Sequence, residues 1–217
     1  MAFMNLKSES KKLARSHFEL ERKRLNWKLG VRNRIKSHFN ELVLSAKNTG
    51  YPFLLSCQDN NDVENLGSIQ ITADSNYTGI TQKLENCGSK LDFEKGAGLS
   101  FSLSPKGDVV VTIRPYKSEW VSRTENSIII EHGISPDDIT DDFIKKCMHR
   151  FIIYTRASSI FGSYSTTLYE HLFIKYLLVV DIKNRGKLLD SALAFSNKWV
   201  AVVISALLGA IFTKLVT

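Results

Sequence analysis

The spacing of hydrophobic positions changes along the chain and divides it into three parts. Over residues 5–48, Trp27, Val31, Ile35, Phe39 and Leu42 recur at steps of four and three, which sets them on one face of an α-helix. Leu6, Leu13, Leu20 and Trp27 also recur every seven residues, but the intermediate positions of that seam are Ser10, His17 and Arg24. Half of a coiled-coil seam would be polar, so a stable coiled coil is not expected. Asn48-Thr49-Gly50, followed by Pro52, is a helix stop.

From residue 51 to 131 the period falls to two. Leu99, Phe101 and Leu103 alternate with serines, and Val109, Val111 and Ile113 alternate on the return. Ser104-Pro105-Lys106-Gly107 lies between them, with proline and glycine where a type I turn takes them. Residues 99–114 are therefore read as a hairpin. Residues 53–57, 68–72, 78–82, 91–94 and 127–131 are further strand candidates. No segment between them is long enough for repeated helical crossovers, so the sheet should be mostly antiparallel.

Beyond the strands, Ser135-Pro136-Asp137-Asp138 reads as a helix start: a serine cap, a first-turn proline, then acids against the positive helix end. Ile139, Phe143, Cys147, Arg150 and Tyr154 follow about four apart, and Gly162 is the expected end. Residues 166–182 fit a buried helix or, around 177–182, a strand, while Lys175 and Asp181 argue against a membrane span there. Asn184-Arg185-Gly186 is a break, and residues 187–195 form an amphipathic lead-in to the tail. The expected fold is α+β: a mostly antiparallel sheet domain flanked by a basic N-terminal helix and C-terminal helices, ending in a single transmembrane helix. The parts are a basic amphipathic helix region (1–50), a cytoplasmic α+β domain (51–186), and a lead-in with membrane helix (187–217).

The tail sets the functional expectation. Residues 199–213 carry no charge and lie between Lys198 and Lys214. Fifteen helical residues rise about 22 Å, short of the ~30 Å hydrocarbon core. Both lysines can snorkel, and Trp199 stands where an interfacial aromatic belongs. Ala201, Ser205, Gly209 and Thr213 fall four apart on one face, the small-residue pattern that lets membrane helices pack closely. A short span also favours association, so a homo-oligomer through this helix is expected. A buried C-terminal helix is the competing reading.

Charge is uneven. Residues 1–50 hold 12 Lys and Arg against 4 Asp and Glu, whereas residues 51–217 hold 17 against 18. The basic helix offers Arg22, Lys23, Arg24, Lys28, Arg32, Arg34 and Lys36 to anionic lipid or phosphate, with Lys7, Lys11, Lys12 and Arg15 upstream. Docking of the helix on the sheet is the structural alternative. No base-reading motif accompanies the arginines, so nucleic acid ranks below membrane lipid as a partner. Cys57, Cys87 and Cys147 lack CxxC spacing and fit a reducing compartment. The N-terminus lacks a signal-peptide apolar region. Lys175, Lys183, Arg185, Lys187 and Lys198 precede the tail, which places the body on the cytoplasmic side of the inner membrane.

Catalytic patterns are weak. The five histidines lie outside HExxH or HxE…CxxC spacing, so no metal or other cofactor is expected. Cys147 and His149 fall on different helix faces, Gly162-Ser163-Tyr164-Ser165 is no nucleophile elbow, and Gly96-Ala97-Gly98 precedes a strand and reads as a bend. Glu131 and His132 could seat a general base at a strand end; Arg114-Pro115-Tyr116-Lys117 could hold an anion or simply solvate an edge strand. The expectation is a non-enzymatic effector that senses a ligand or partner and perturbs the inner membrane. That architecture is similar to bacterial toxin and anti-phage effectors, by analogy alone. A passive anchored adaptor is the alternative, followed by an anchored enzyme and a basic nucleic-acid-binding protein.

Overall fold

In the computed structural model, which describes residues 6–60, 67–83, 88–120 and 125–181, the alternating segments pair as an antiparallel sheet. Strands β1 (Leu55–Asn60), β2 (Ser68–Ala73), β3 (Asn76–Lys83), β4 (Ser89–Glu94), β5 (Gly98–Leu103), β6 (Val109–Arg114) and β7 (Ile128–Ile134) form a five-stranded sheet, ordered β1-β2-β5-β6-β7, and a separate β3-β4 pair. The β3-β4 hairpin is an excursion between β2 and β5, which are themselves neighbours. Ile69, Ile71, Leu99, Phe101, Val109, Val111 and Ile113 bury one face completely. Gln58, Gln70, Ser100 and Thr112 share one register row on the other. One packed and one solvated face is the usual economy of antiparallel sheets. The turn between β5 and β6 closes through Gly107 N–H to Ser104 O at 2.9 Å, with Gly107 at φ +82°, a region that glycine enters without strain.

Helices cover the apolar face. Helix α1 (Leu6–Asn26) runs through one π-turn (Trp27–Val31) into α2 (Arg32–Asn48). Trp27, Val31, Ile35 and Phe39 are buried, as their spacing predicts. Phe39 meets Phe101 edge-on at 5.9 Å, and Phe101 meets Phe143 at 6.4 Å. Those rings tie α2, the sheet and α3 (Asp141–Ser158) into one core. Helix α1 buries no residue, although its Leu20 sits over the β5–β6 turn: a Cβ on Gly107 would lie 2.9 Å from Leu20 Cδ1.

Several local expectations are corrected. Pro136–Asp138 is an isolated 3-10 turn, and α3 starts later with Thr140 as its cap, the Thr140 hydroxyl accepting from Phe143 N–H. Ser135 makes no cap hydrogen bond. Ile139 after that turn is extended (ψ 99°), which separates the two elements. Helix α3 ends at Ser158, before Gly162, because Ser159 is extended and a buried carboxylate, Glu94 on β4, takes the Ser159 hydroxyl and the Ile160 N–H. A short α4 (Ile160–Ser163) and then α5 (Leu168–Val180) follow, so residues 168–180 are helical and not strand. Strand β1 begins two residues late; Phe53 enters the core from the preceding loop. Strand β6 is interior, flanked by β5 and β7, so Arg114 is not at an edge; its guanidinium donates to Gln70 Oε1 at 2.8 Å.

Candidate membrane-proximal surface

The basic helix spends most of its charge on its own fold. Lys23 donates to Asp108 at 2.6 Å and Arg22 pairs with Asp137 at 2.8 Å. Arg24 pairs with Glu21 and reaches the Pro105 carbonyl. Arg32, nearly buried, and Lys36 converge on Asp59 of β1. Arg34 approaches Asp141 at 3.7 Å and donates to the Ile139 carbonyl. Of the seven residues expected to face lipid or phosphate, Lys28 alone forms no ion pair among the described residues. Upstream, Lys7, Lys11 and Arg15 are exposed on α1 and, among the described residues, form no ion pairs, while Lys12 pairs with Glu9. The acids that complete these pairs lie up to 115 residues from their partners in sequence, so periodicity within the helix carried no sign of them.

Asp59 shows the electrostatic outcome. Burial alone would raise its carboxyl, but hydrogen bonds from Arg32 and Lys36 outweigh this and hold it below the usual carboxylate range. For Asp137 the Arg22 hydrogen bond is the leading cause of a lowered carboxyl.

A second surface, absent from the residues singled out in the sequence, runs along α4 and α5. Tyr169, Leu172, Tyr176 and Val179 are spaced three, four and three apart and all face outward, with Leu168, Tyr164 and Phe161 beside them. Every one is more than half exposed, and Tyr164 reaches 95%. The opposite side of α5 buries Ile174 and Leu177 against the core, and the exposed Lys175 lies beside Leu172 and Val179 on the outward side. Exposed apolar side chains repeated at helical spacing make this face a candidate interaction surface. Its position is fixed at both ends. A capping box between Thr167 and Glu170 opens α5, and Asp181 at its end accepts the Ile129 N–H from β7.

The general-base candidates lie on the last strand of the sheet. Glu131 lies within β7 and pairs with Arg150 at 3.5 Å, while His132 is exposed beside Gly133. Cys147 is buried, its thiol pushed up to about 12 chiefly by that burial, and His149 is exposed. Among the described residues no group of three or more His, Cys, Asp and Glu side chains is arranged to hold a metal ion. No helix of the described residues is long and apolar enough to cross a membrane. Lys198, Trp199, Ala201, Ser205, Gly209, Thr213 and Lys214 lie outside the described residues. No family model, curated protein or solved structure matches the chain.

Proposed function

We propose that this chain is a non-enzymatic, C-terminally membrane-anchored effector. Its α+β body responds to a ligand or partner, and the apolar helix of residues 199–213 self-associates through Ala201, Ser205, Gly209 and Thr213 to perturb the inner membrane. The observation that carries the reading is the exposed apolar face of α4 and α5. Its last exposed residue is Val179, and residues 180–198 separate it from the uncharged run. Tyrosines spaced along such a face suit the headgroup region, and Lys7, Lys11, Lys12 and Arg15 on α1 supply attraction to anionic lipid.

Alkaline carbonate washing of membranes tests the anchor. The full-length chain is expected to stay in the washed pellet and a chain ending at Asn197 to leave it. Ser205→Leu with Gly209→Leu is expected to keep the pellet association and abolish growth inhibition on overproduction. A full-length chain released by carbonate refutes the anchor; undiminished growth inhibition in the double variant refutes the helix-packing mechanism.

A further inference from the structure

Where the end of α3 meets the β3-β4 hairpin, the body holds a cleft of about 630 Å³, with Pro52, Phe53 and Phe161 as apolar walls. The Phe53 ring is braced on two sides, edge-on by Tyr51 at 5.4 Å and by Tyr116 at 5.6 Å. Such a volume is in the range of small-molecule sites.

Among the described residues, the polar side chains that line the cleft are already engaged or closed off. Asn76 donates its amide to Tyr116 Oη at 3.0 Å, and Tyr77 Oη is bonded to Thr81 Oγ1 at 2.6 Å. Ser165 Oγ donates to the Gly162 carbonyl at 2.8 Å, and the Arg156 guanidinium is paired with Glu170. Tyr51 Oη and Arg156 Nε are shut away from the cleft, with essentially no accessible surface. What remains for a ligand is chiefly ring and chain carbon. A carboxylate, phosphate or ammonium group placed here would give up water without a matching partner, which costs free energy. An apolar body gains by leaving water.

Position narrows the choice. Phe161 both lines the cleft and belongs to the exposed apolar face of α4 and α5, where it is 71% exposed and stands three residues before Tyr164. The cleft is therefore continuous, through Phe161, with the surface that the reading above turns toward lipid.

We propose that this cleft receives an alkyl chain, of the kind carried by a membrane lipid or by a free long-chain alcohol. The chain packs against Phe53, Tyr77 and Phe161, with its polar end left outside in water. The inference rests on the ligand-sensing half of the reading above, whose ligand it names by chemistry. Carbonate washing decides the anchor, and photolabelling decides the cleft.

The test is photolabelling of the purified full-length chain, with labelled residues located by peptide mass spectrometry. In one arm the chain sits in phosphatidylcholine nanodiscs that contain phosphatidylcholine with a diazirine at the end of one acyl chain. In the other it is held in lipid-free amphipol and given decanol carrying a terminal diazirine. Label is expected on Phe53, Tyr77 or Phe161. Its appearance in the first arm alone makes a bilayer lipid the source, and in the second alone a free alkyl molecule. Ser165→Trp, at an exposed position on the cleft, fills the space and should cut this label about tenfold, while label on Leu172 and Tyr176 persists. Phe161→Ala removes a wall at a largely exposed residue and should weaken it several-fold with thermal unfolding unchanged. Cleft residues unlabelled in both arms, label confined to Leu172, Tyr176 and residues 199–213, or cleft label that survives both substitutions each overturns the proposal.

Discussion

Truncating Phe39 decides whether the basic helix belongs to the core or is a detachable arm. Phe39 is fully buried, with its ring 5.9 Å from Phe101, which in turn packs on Phe143. Phe39→Ala removes a whole ring from a site enclosed on all sides. Such truncations cost about 3–5 kcal/mol, of which the ring pair accounts for about 0.5–1.5 kcal/mol. A domain of this size has only about 5–15 kcal/mol to lose. With a urea slope near 2 kcal/mol per molar, the midpoint should fall by about 2 M. The assay is urea unfolding of the full-length chain followed by far-ultraviolet circular dichroism. Leu13→Ala on α1, at a residue 69% exposed, should move stability by less than about 0.5 kcal/mol. If Phe39→Ala shifts the midpoint no further than Leu13→Ala, the helix is not docked. The charge pairing described for Arg22 to Lys36 would then fail with it.

Two further perturbations address the ion-paired Asp59 and the buried Glu94. Asp59 has a depressed carboxyl, so its contribution is present above the unfolded value near 3.9 and lost as pH falls through the lower folded value. The urea midpoints of wild type and Asp59→Asn should differ at pH 7 and converge as pH drops below about 4; a gap that stays constant refutes this assignment. Glu94→Ala strands the Ser159 hydroxyl and the Ile160 N–H and should cost about 2–4 kcal/mol in urea unfolding, whereas a loss under about 1 kcal/mol would mean the α3–α4 break has another cause.

Short-range patterns were legible because they are set by neighbours in sequence. The alternation of Leu99, Phe101 and Leu103 against Val109, Val111 and Ile113 yields the hairpin, and the spacing of Trp27, Val31, Ile35 and Phe39 yields the docked face. Where expectation and structure part, either the backbone conformation of one residue or a distant side chain decides. Ser135 and Thr140 both carry cap-forming hydroxyls, and only the backbone of Ile139 separates the turn from the helix. Glu94, 65 residues from Ser159 in sequence, ends α3 ahead of the glycine that local rules select. The apolar face of α5 was hidden for another reason: residues 168–180 are apolar on both sides, so sequence alone does not say which side the core takes. The cleft is still less legible, since Tyr51, Asn76 and Arg156 come from three separate segments.

One guanidinium joins the cleft to the exposed helix. Arg156 Nε is unpaired beside Tyr51, while its Nη2 donates to Glu170, whose other oxygen caps the Thr167 backbone at the start of α5. The Glu170 carboxyl is held below its usual range first by that Thr167 N–H, against burial, and then by Arg156. The Arg156–Glu170 pair braces the first turn of the helix that presents Tyr169, Leu172 and Tyr176.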